Sequence, residues 1–437
     1  MLTTLRNAFK IKDVRDKILF TLLMLVVIRI GSQIPVPGVD RNYFSSWFEA
    51  QTGGAFSFFD AITGGSFLNM SILALNINPY ITSSIIMQLL TIAIPKLEEM
   101  QRDGEDGRKK IVAITRYVTV ALAFIQAAAM AIGFGRQGLL VNYNAFNVIT
   151  AIFAMVAGSA FIMWIGERIT EKGIGNGISI VLIINIISRI PNDLSGLFDQ
   201  FVKGKPIATS ILNAVIILAI ILALIIMVII LNDGVRKIPV QYAKKVQGRS
   251  LVGGQSSNIP LKINTSGVIP IIFAQSILQF PIIIASFVGT KGTGVWAEIL
   301  KGLNSGNWCD PEQPIYSIGL LVYILLIVFF AYFYTSITFN PLMIADNLKK
   351  QGGFIPGIRP GRPTSDYLSK VLNYVVFIGA IGLIIVSVIP YIFSGVFGAS
   401  VSFTGTSLII IVSVILETLK QIESQLIVRN YRGFLEN

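Results

Sequence analysis

Apolar stretches of about 20 residues recur along the whole chain, and each is long enough to cross a hydrocarbon core about 30 Å thick. Helices of soluble proteins are apolar on one face, whereas these stretches are apolar on every face. The pattern predicts an all-α polytopic membrane protein with ten transmembrane helices. We place these spans at residues 18–35, 75–94, 111–133, 146–167, 176–190, 208–232, 266–288, 316–338, 368–391 and 403–424.

The ten predicted spans divide into two groups of five, separated by a connection rich in glycine, proline and charge. Because each group has an odd number of spans, the second group starts from the opposite side of the membrane, as in an inverted repeat. We therefore predict two inverted five-helix halves. The segments are a cytosolic amphipathic stretch at 1–17, an N-terminal half at 18–190, an external hinge at 191–207, a C-terminal half at 208–424 and a cytosolic tail at 425–437.

The charges are few and unevenly placed. Only 13% of the 437 residues are charged, 53% are hydrophobic, and the net charge is +12. Most of the 35 Lys and Arg residues lie in the N-terminal segment, the connections after even-numbered spans and the C-terminal tail. Cytosolic connections carry such an excess, so both termini are predicted to be cytosolic. Arg29 and Arg116 fall inside predicted spans, and the sequence suggests no acidic partner for either.

The chain has no histidine, and its single cysteine is Cys309. These absences exclude a Ser-His-Asp triad, a histidine-ligated metal and an intrachain disulfide. The sequence also has no phosphate-binding loop of the form G-x-x-x-x-G-K-[ST]. We therefore predict no catalytic residue, no metal site and no cofactor, and we do not expect an enzyme.

The segment from Gly53 to Asn78 breaks the pattern of simple spans. It mixes aromatic and aliphatic residues with glycines and with polar residues such as Asp60. Irregular backbone at membrane depth needs protein or water around it. The segment therefore fits a half-helix inside a protein-lined cavity. An ordinary external loop is the alternative.

Two cytosolic connections, at residues 231–265 and 338–368, are far longer than the usual 4–6 residues. Both carry several Lys and Arg residues. Long basic loops can dock a partner or contact anionic lipid headgroups. Lipid contact alone does not require such length, so the loops favour a docked partner.

Several segments, in order along the chain, are similar to signatures of the SecY family. Two are long, one leading into the second span and one into the fifth. Where Asn76 lies, the family usually has glycine. The matching segments are Ile34–Gly38, Ser71–Gln88, Trp164–Ser179, Gln241–Lys244, Gly267–Pro270, Gly357–Gly361 and Gly405–Leu408.

The resemblance implies a protein-conducting channel with an hourglass pore, sealed at its waist by a ring of apolar side chains. Two pairs of candidate ring residues are four positions apart, which places each pair on one helix face. An apolar constriction blocks water and ions by dewetting. Ordinary helix packing is the alternative for these residues. The implied ring is Ile77, Ile81, Leu182, Ile186, Ile272 and Ile410.

The resemblance also implies a plug, a re-entrant half-helix at about residues 56–72 that fills the external funnel of the idle pore. Its glycines and polar residues predict weak burial, which would allow it to leave. The implied plug side chains are Phe58, Phe59, Ile62, Phe67 and Leu68.

A lateral gate between spans 2–3 and spans 7–8 would release hydrophobic segments into lipid. Thr82 and Phe280 would face each other across it, and Gln126 is a polar candidate for stabilising it. A hydrogen bond within one helix, or simple packing, is the alternative for each.

The resemblance places the protein in a bacterial plasma membrane. The implied partners are the small subunits SecE and SecG, the SecA ATPase, the ribosome, signal sequences of preproteins and anionic lipids. Arg359 is the residue we expect to couple the motor, because its planar cation can make two parallel contacts to a carboxylate or a phosphate. The expected contact residues for SecA or the ribosome are Arg236, Lys244, Lys245, Arg249 and Arg359.

Two other functions remain open from the sequence. A secondary transporter also uses inverted halves and broken helices, but it keeps polar or ionisable ligands at the midplane. The deepest positions here are mostly aliphatic. An intramembrane hydrolase needs paired carboxylates, or a nucleophile with a base, inside the bilayer, and the spans suggest neither.

Overall fold

A helix lies in each of the ten predicted spans of the computed structural model. The structure describes residues 8–41, 43–44, 46, 60, 62–135, 138, 140–203, 206–242, 245–247, 250–252, 256–288, 294–397 and 405–433. The long helices are α1 Lys12–Gly31, α2 Asn78–Ala93, α4 Glu105–Gly133, α5 Ala145–Lys172, α6 Gly177–Phe201, α7 Ile207–Asp233, α8 Ile269–Val288, α10 Ile318–Thr338, α12 Arg362–Phe397 and α13 Gly405–Gly433; the short ones are α3 Pro95–Arg102, α9 Val295–Leu303 and α11 Pro341–Lys350.

The structure supports a membrane protein with several spans. Six helical stretches of the described residues are long and apolar enough to cross a membrane, and the bent pair of α2 and α3 would make a seventh. Large apolar side chains cover much of the outside of these helices, as on α7, where Ile211, Leu212 and Leu218 are exposed. Such a surface is stable only in contact with lipid or another apolar partner.

Proline sets both ends of α2. Pro79 lies in its first turn, where the missing N–H costs nothing. Pro95 begins α3 directly after it, and the axis turns by 107° at this break. The second predicted span, 75–94, is helical only from Asn78, because residues 75–77 form turns.

The predicted external hinge at 191–207 is helical over residues 191–201. Asn176 caps α6 by accepting hydrogen bonds from the backbone N–H groups of Ile178 and Ser179, and the helix then continues through Pro191 to Phe201. Pro191 removes one backbone donor but does not end the helix. Residues 191–201 therefore extend α6 as a helix beyond the predicted fifth span.

The two long connections at 231–265 and 338–368 are not simply loops, and the all-α prediction missed a small sheet. The longest strands are β1 Val235–Tyr242 and β4 Ser256–Lys262, which pair antiparallel with Val235 opposite Lys262. Strand β5 Gly353–Phe354, from the other loop, pairs with the end of β1. The sheet order β4-β1-β5 thus joins both loops; β2 Lys245–Gln247 and β3 Ser250–Val252 form a separate pair.

Alternation along β1 explains why this sheet packs on the helices. Ile238 and Val240 are buried, while the residues between and before them are exposed. The buried pair contacts a small core that includes Leu348 of α11 and Leu368 of α12. Side chains at alternate strand positions point to one face, so one face of β1 rests on protein and the other faces outward.

Candidate functional site

Six aliphatic side chains from four helices and their edges meet in one hydrophobic cluster. Ile77, Leu182, Ile186 and Ile410 are buried in it, and Ile81 and Ile272 pack against it while partly exposed. These are the six residues that the resemblance implied for the pore ring. The structure therefore brings all six together, although they come from positions up to 333 residues apart, from 77 to 410.

The backbone at Asn76 aims Ile77 into this cluster. Asn76 has φ +50°, in the left-handed region that few residues other than glycine tolerate and that asparagine enters more readily than most. Its side-chain amide donates to the Thr63 carbonyl, and its amide oxygen accepts from the Ile77 N–H. The Ser159 hydroxyl donates to the Asn76 carbonyl. Asparagine thus keeps the bend for which the family usually has glycine.

The predicted plug segment is compact and deeply buried. Among its described residues, 60, 62 and 63 are helical, and 64–70 form turns rather than a half-helix. Ile62 joins the same cluster as the six aliphatic residues, while Phe67 and Leu68 pack in a neighbouring one. The expectation of weak burial is wrong for these residues, since most are inaccessible. Phe58 and Phe59 lie outside the described residues.

Polar contacts from two helices hold the segment. The Asp60 carboxylate, fully buried, lies 2.8 Å from an Arg189 guanidinium nitrogen of α6. Its other oxygen accepts a hydrogen bond from the Leu68 N–H. Arg29, at the end of α1, donates to the Gly64 carbonyl at 3.2 Å. The Ser188 hydroxyl lies 3.4 Å from the same oxygen and donates to the Asn185 carbonyl of its own helix at 2.6 Å.

Arg116 has an acidic partner, contrary to the expectation from sequence. Its Nε lies 2.7 Å from a carboxylate oxygen of Glu167 on α5. The two residues are 51 positions apart, so no local spacing revealed the pair. This ion pair joins α4 to α5 and leaves no isolated charge at that position.

The three predicted gate residues lie in different environments. The Thr82 hydroxyl donates to the Asn78 carbonyl of its own helix, which matches the alternative weighed from sequence. Phe280 on α8 is largely exposed, and the buried Gln126 Oε1 on α4 has no hydrogen-bond partner. Helix α8 packs against α4. No contact between Thr82 and Phe280 is described, so their opposition stays a prediction.

Sequence reasoning missed two buried glutamines on α8. Gln275 is buried, and its Oε1 accepts a hydrogen bond from the Tyr391 hydroxyl. Gln279, one turn further along, is also buried, and its side-chain nitrogen has no partner. The sequence did contain a signal for these residues, since Gln275 and Gln279 are polar and one helical turn apart in an apolar span. Amides in membrane helices usually serve helix packing or function.

A polar cavity of about 710 Å³ lies on one side of the apolar cluster. Val414, a member of the cluster, and Val268, packed against it, also line the cavity. Hydrogen bonds from Asn264 to Asn232 and from Asn232 to Ser413 order its wall. A cavity lined mainly by polar side chains thus meets an apolar floor.

The predicted partner-contact residues are only partly described. Arg236 on β1 and Arg359, in the turn after β5, are exposed, and both lie in the region of the small sheet. Lys245 begins β2, but its side chain is not among those described. Lys244 and Arg249 lie outside the described residues. The structure places Arg236 and Arg359 on loops that one sheet connects.

Comparison with known proteins agrees with these features. The SecY family model matches residues 71–419. Protein translocase subunit SecY of Halalkalibacterium halodurans is 43% identical over 443 residues, with 100% of both chains covered. A SecY structure, whose plug domain stabilises the closed translocation channel and maintains a membrane seal, superposes with a TM-score of 0.61 at 17% identity, covering 94% of this chain and 92% of that one. Sec61 in the canine ribosome-channel complex gives 0.59 at 16% identity, with the same coverage.

Proposed function

The chain belongs to the SecY family, and from this premise we propose that it forms a channel that passes unfolded preproteins across the membrane. The observation that carries the proposal is the meeting of six aliphatic side chains and the plug residue Ile62 in one cluster. The arrangement of ten spans in two inverted halves completes the proposed architecture.

The apolar cluster explains how one site can both seal and conduct. Bulky aliphatic groups leave no hydrogen-bond partner for water, so a narrow ring excludes water and ions. It also offers no fixed charge to hold a passing peptide. Isoleucine, the residue at five of the six positions, has one strongly restricted side-chain torsion, which favours a defined constriction.

A lateral opening between α2–α4 and α8–α10 releases hydrophobic segments and signal sequences into lipid. Support comes from the packing of α8 on α4 and from the polar side chains Gln126, Gln275 and Gln279 along these helices. A buried amide without a partner makes a helix contact easier to separate. Thr82 and Phe280 keep their proposed places at this gate.

The chain is not equipped to drive transport by itself, and we assign the driving force to a partner. A SecA-type ATPase or a ribosome docks on the cytosolic loops through Arg236, Lys244, Lys245, Arg249 and Arg359. The structural neighbour in a canine ribosome-channel complex supports this assignment. SecE and SecG subunits and anionic lipids complete the assembly, in a bacterial plasma membrane with both chain termini in the cytosol.

A secondary transporter of small solutes is not supported. Such a protein would place ionisable ligands at the midplane, whereas the central cluster here is aliphatic. The ion pair Arg116–Glu167 between α4 and α5 is partly exposed, and neither residue belongs to that cluster.

Reconstitution in vesicles tests the proposal. With a preprotein, SecA and ATP, the complex should move the preprotein into the lumen, where protease cannot reach it. A variant lacking residues 57–70 should conduct ions without any partner, because the segment packed on the ring is gone. Saturable uptake of a small solute, with no conductance from the deletion variant, would contradict the proposal.

A further inference from the structure

We propose that Arg189 is a positioning residue that holds the plug closed through Asp60, and that Asp193 competes with Asp60 for the same guanidinium. The inference rests on the proposed channel function and assigns that channel a release mechanism. The three residues form a charge-exchange latch: Asp60 on the plug, and Arg189 and Asp193 on α6.

The ion pair between the plug and α6 is enclosed by protein. Asp60 is completely buried, and the Arg189 side chain is 17% exposed, with 2.8 Å between the charged atoms. A carboxylate taken out of water needs such a partner, because removing the partner leaves an uncompensated buried charge. Asp60 also accepts from the Leu68 N–H, so this one carboxylate orders the fold of the plug and attaches it to α6.

A second attachment lies beside the first. Arg29 of α1 donates to the carbonyl of Gly64, and the Ser188 hydroxyl of α6 lies 3.4 Å from the same oxygen. Consecutive residues of α6, Ser188 and Arg189, thus contact the plug at two points four residues apart. The α6 helix thus sets the position of the plug. Of the two described plug groups that it contacts, Asp60 is a charged carboxylate and Gly64 contributes a neutral carbonyl.

The ion pair is made so that it can be released. The contact is a single approach of one guanidinium nitrogen, without the aligned double contact of which arginine is capable. The Arg189 Nε is buried without a hydrogen-bond partner. The two charges attract each other, but the plug occupies only one guanidinium nitrogen, and the Nε of Arg189 still has a hydrogen to donate.

Asp193 supplies the competing acceptor. It is buried and lies four residues after Arg189 on α6. Residues four apart on a helix are neighbours on its surface. When the plug leaves, Arg189 exchanges Asp60 for Asp193 and no cation is left unpaired, which lowers the cost of opening.

Single-channel recording of the full chain, purified with its co-purifying subunits and without SecA, tests the latch. Asp60→Asn and Arg189→Gln should each raise the open probability at least about tenfold, because each breaks a buried ion pair. The double variant should open no more often than either single variant. Asp193→Asn should act in the opposite direction and lower the open probability, because Asp60 then holds Arg189 without a competitor.

Asp199→Asn is the matched control. It removes the exposed ion pair with Lys203, two residues past the end of α6, and no described plug residue is part of that pair. It should leave the open probability unchanged. Melting of each variant in detergent separates misfolding from release, and Arg189→Lys, which keeps the charge, should recover much of the wild-type closure if folding is intact.

The latch and the channel fail in different ways. Equal closure of wild type, Asp60→Asn and Arg189→Gln, or additive effects in the double variant, would overturn the latch. An increase in opening with Asp193→Asn would overturn the competition. If the variant lacking residues 57–70 also conducts no ions, the channel itself is refuted.

Discussion

A methyl group added at Gly64 should unseat the plug. A Cβ atom there would lie 2.8 Å from both the Cα and the carbonyl oxygen of Asn185 on α6, closer than real Cβ contacts allow. Gly64 also has φ +66°, a conformation that side chains disfavour. Gly65 provides a matched comparison, because its φ is +82° and its nearest neighbour, Arg189 Nη1, would be 3.7 Å away.

The two glycines separate backbone strain from packing. Left-handed backbone costs an L-residue about 1–2 kcal/mol, and this cost applies to both Gly64→Ala and Gly65→Ala. Overpacking against a neighbour adds about 1–3 kcal/mol, and only Gly64→Ala incurs it, because the Asn185 backbone belongs to a helix and cannot move aside as a side chain can. The ratio of open to closed channels should therefore be roughly 5- to 150-fold higher in Gly64→Ala than in Gly65→Ala.

Ion flux through reconstituted complexes measures this ratio. Gly64→Ala should leak without any partner, and Gly65→Ala should leak slightly. Gly104→Ala should match wild type, because Gly104 lies between α3 and α4 with φ +77° and an added Cβ would have no neighbour within 4 Å. Equal leakage from Gly64→Ala and Gly65→Ala would show that backbone strain alone accounts for the effect. No leakage from Gly64→Ala would refute the close packing of plug and α6.

Three further substitutions or reagents test other parts of the protein. Arg359→Glu should abolish SecA-driven preprotein transport while leaving membrane insertion and melting unchanged, and Arg362→Glu, three residues on, should be milder; normal export by Arg359→Glu would refute its coupling role. Ile186→Ser should raise ion leakage because Ile186 is buried in the apolar cluster. Ile187→Ser should not raise it, because Ile187 is partly exposed and does not belong to that cluster. Burial raises the pKa of the Cys309 thiol, so its alkylation at neutral pH should be slower than in the unfolded chain and should accelerate only at higher pH; equal rates would contradict the burial.

The helices could be predicted from sequence because apolarity over about 20 residues is a local signal. The extension of α6 through Pro191 could not, because proline usually marks an end but does not enforce one. The sheet was also missed. Strand β1 finds its second partner in β5, more than 100 residues away, and β5 is too short to show alternation.

The site was predicted unevenly for a related reason. The six ring positions followed from the resemblance, since helical spacing alone did not separate them from ordinary packing residues. Burial of the plug was misjudged because Asp60, Gly64 and Asn76 look solvent-exposed in sequence. Their partners, such as Arg189 for Asp60 and Ser159 for Asn76, lie 129 and 83 positions further on. Burying a polar residue costs free energy unless the fold supplies a partner, and the sequence does not show which distant residue that partner is.

The division of labour between ring and plug follows from what each kind of contact can do. Apolar contact in the ring is non-directional, so it closes around any chain and reseals without requiring one orientation. The plug must return to one place, which requires directional contacts of the kind made by Asp60, Gly64 and Asn76. Directional contacts are costly to break when no replacement exists. Asp193 beside Arg189 supplies that replacement, and this is why a buried, well-ordered plug is compatible with a channel that must open.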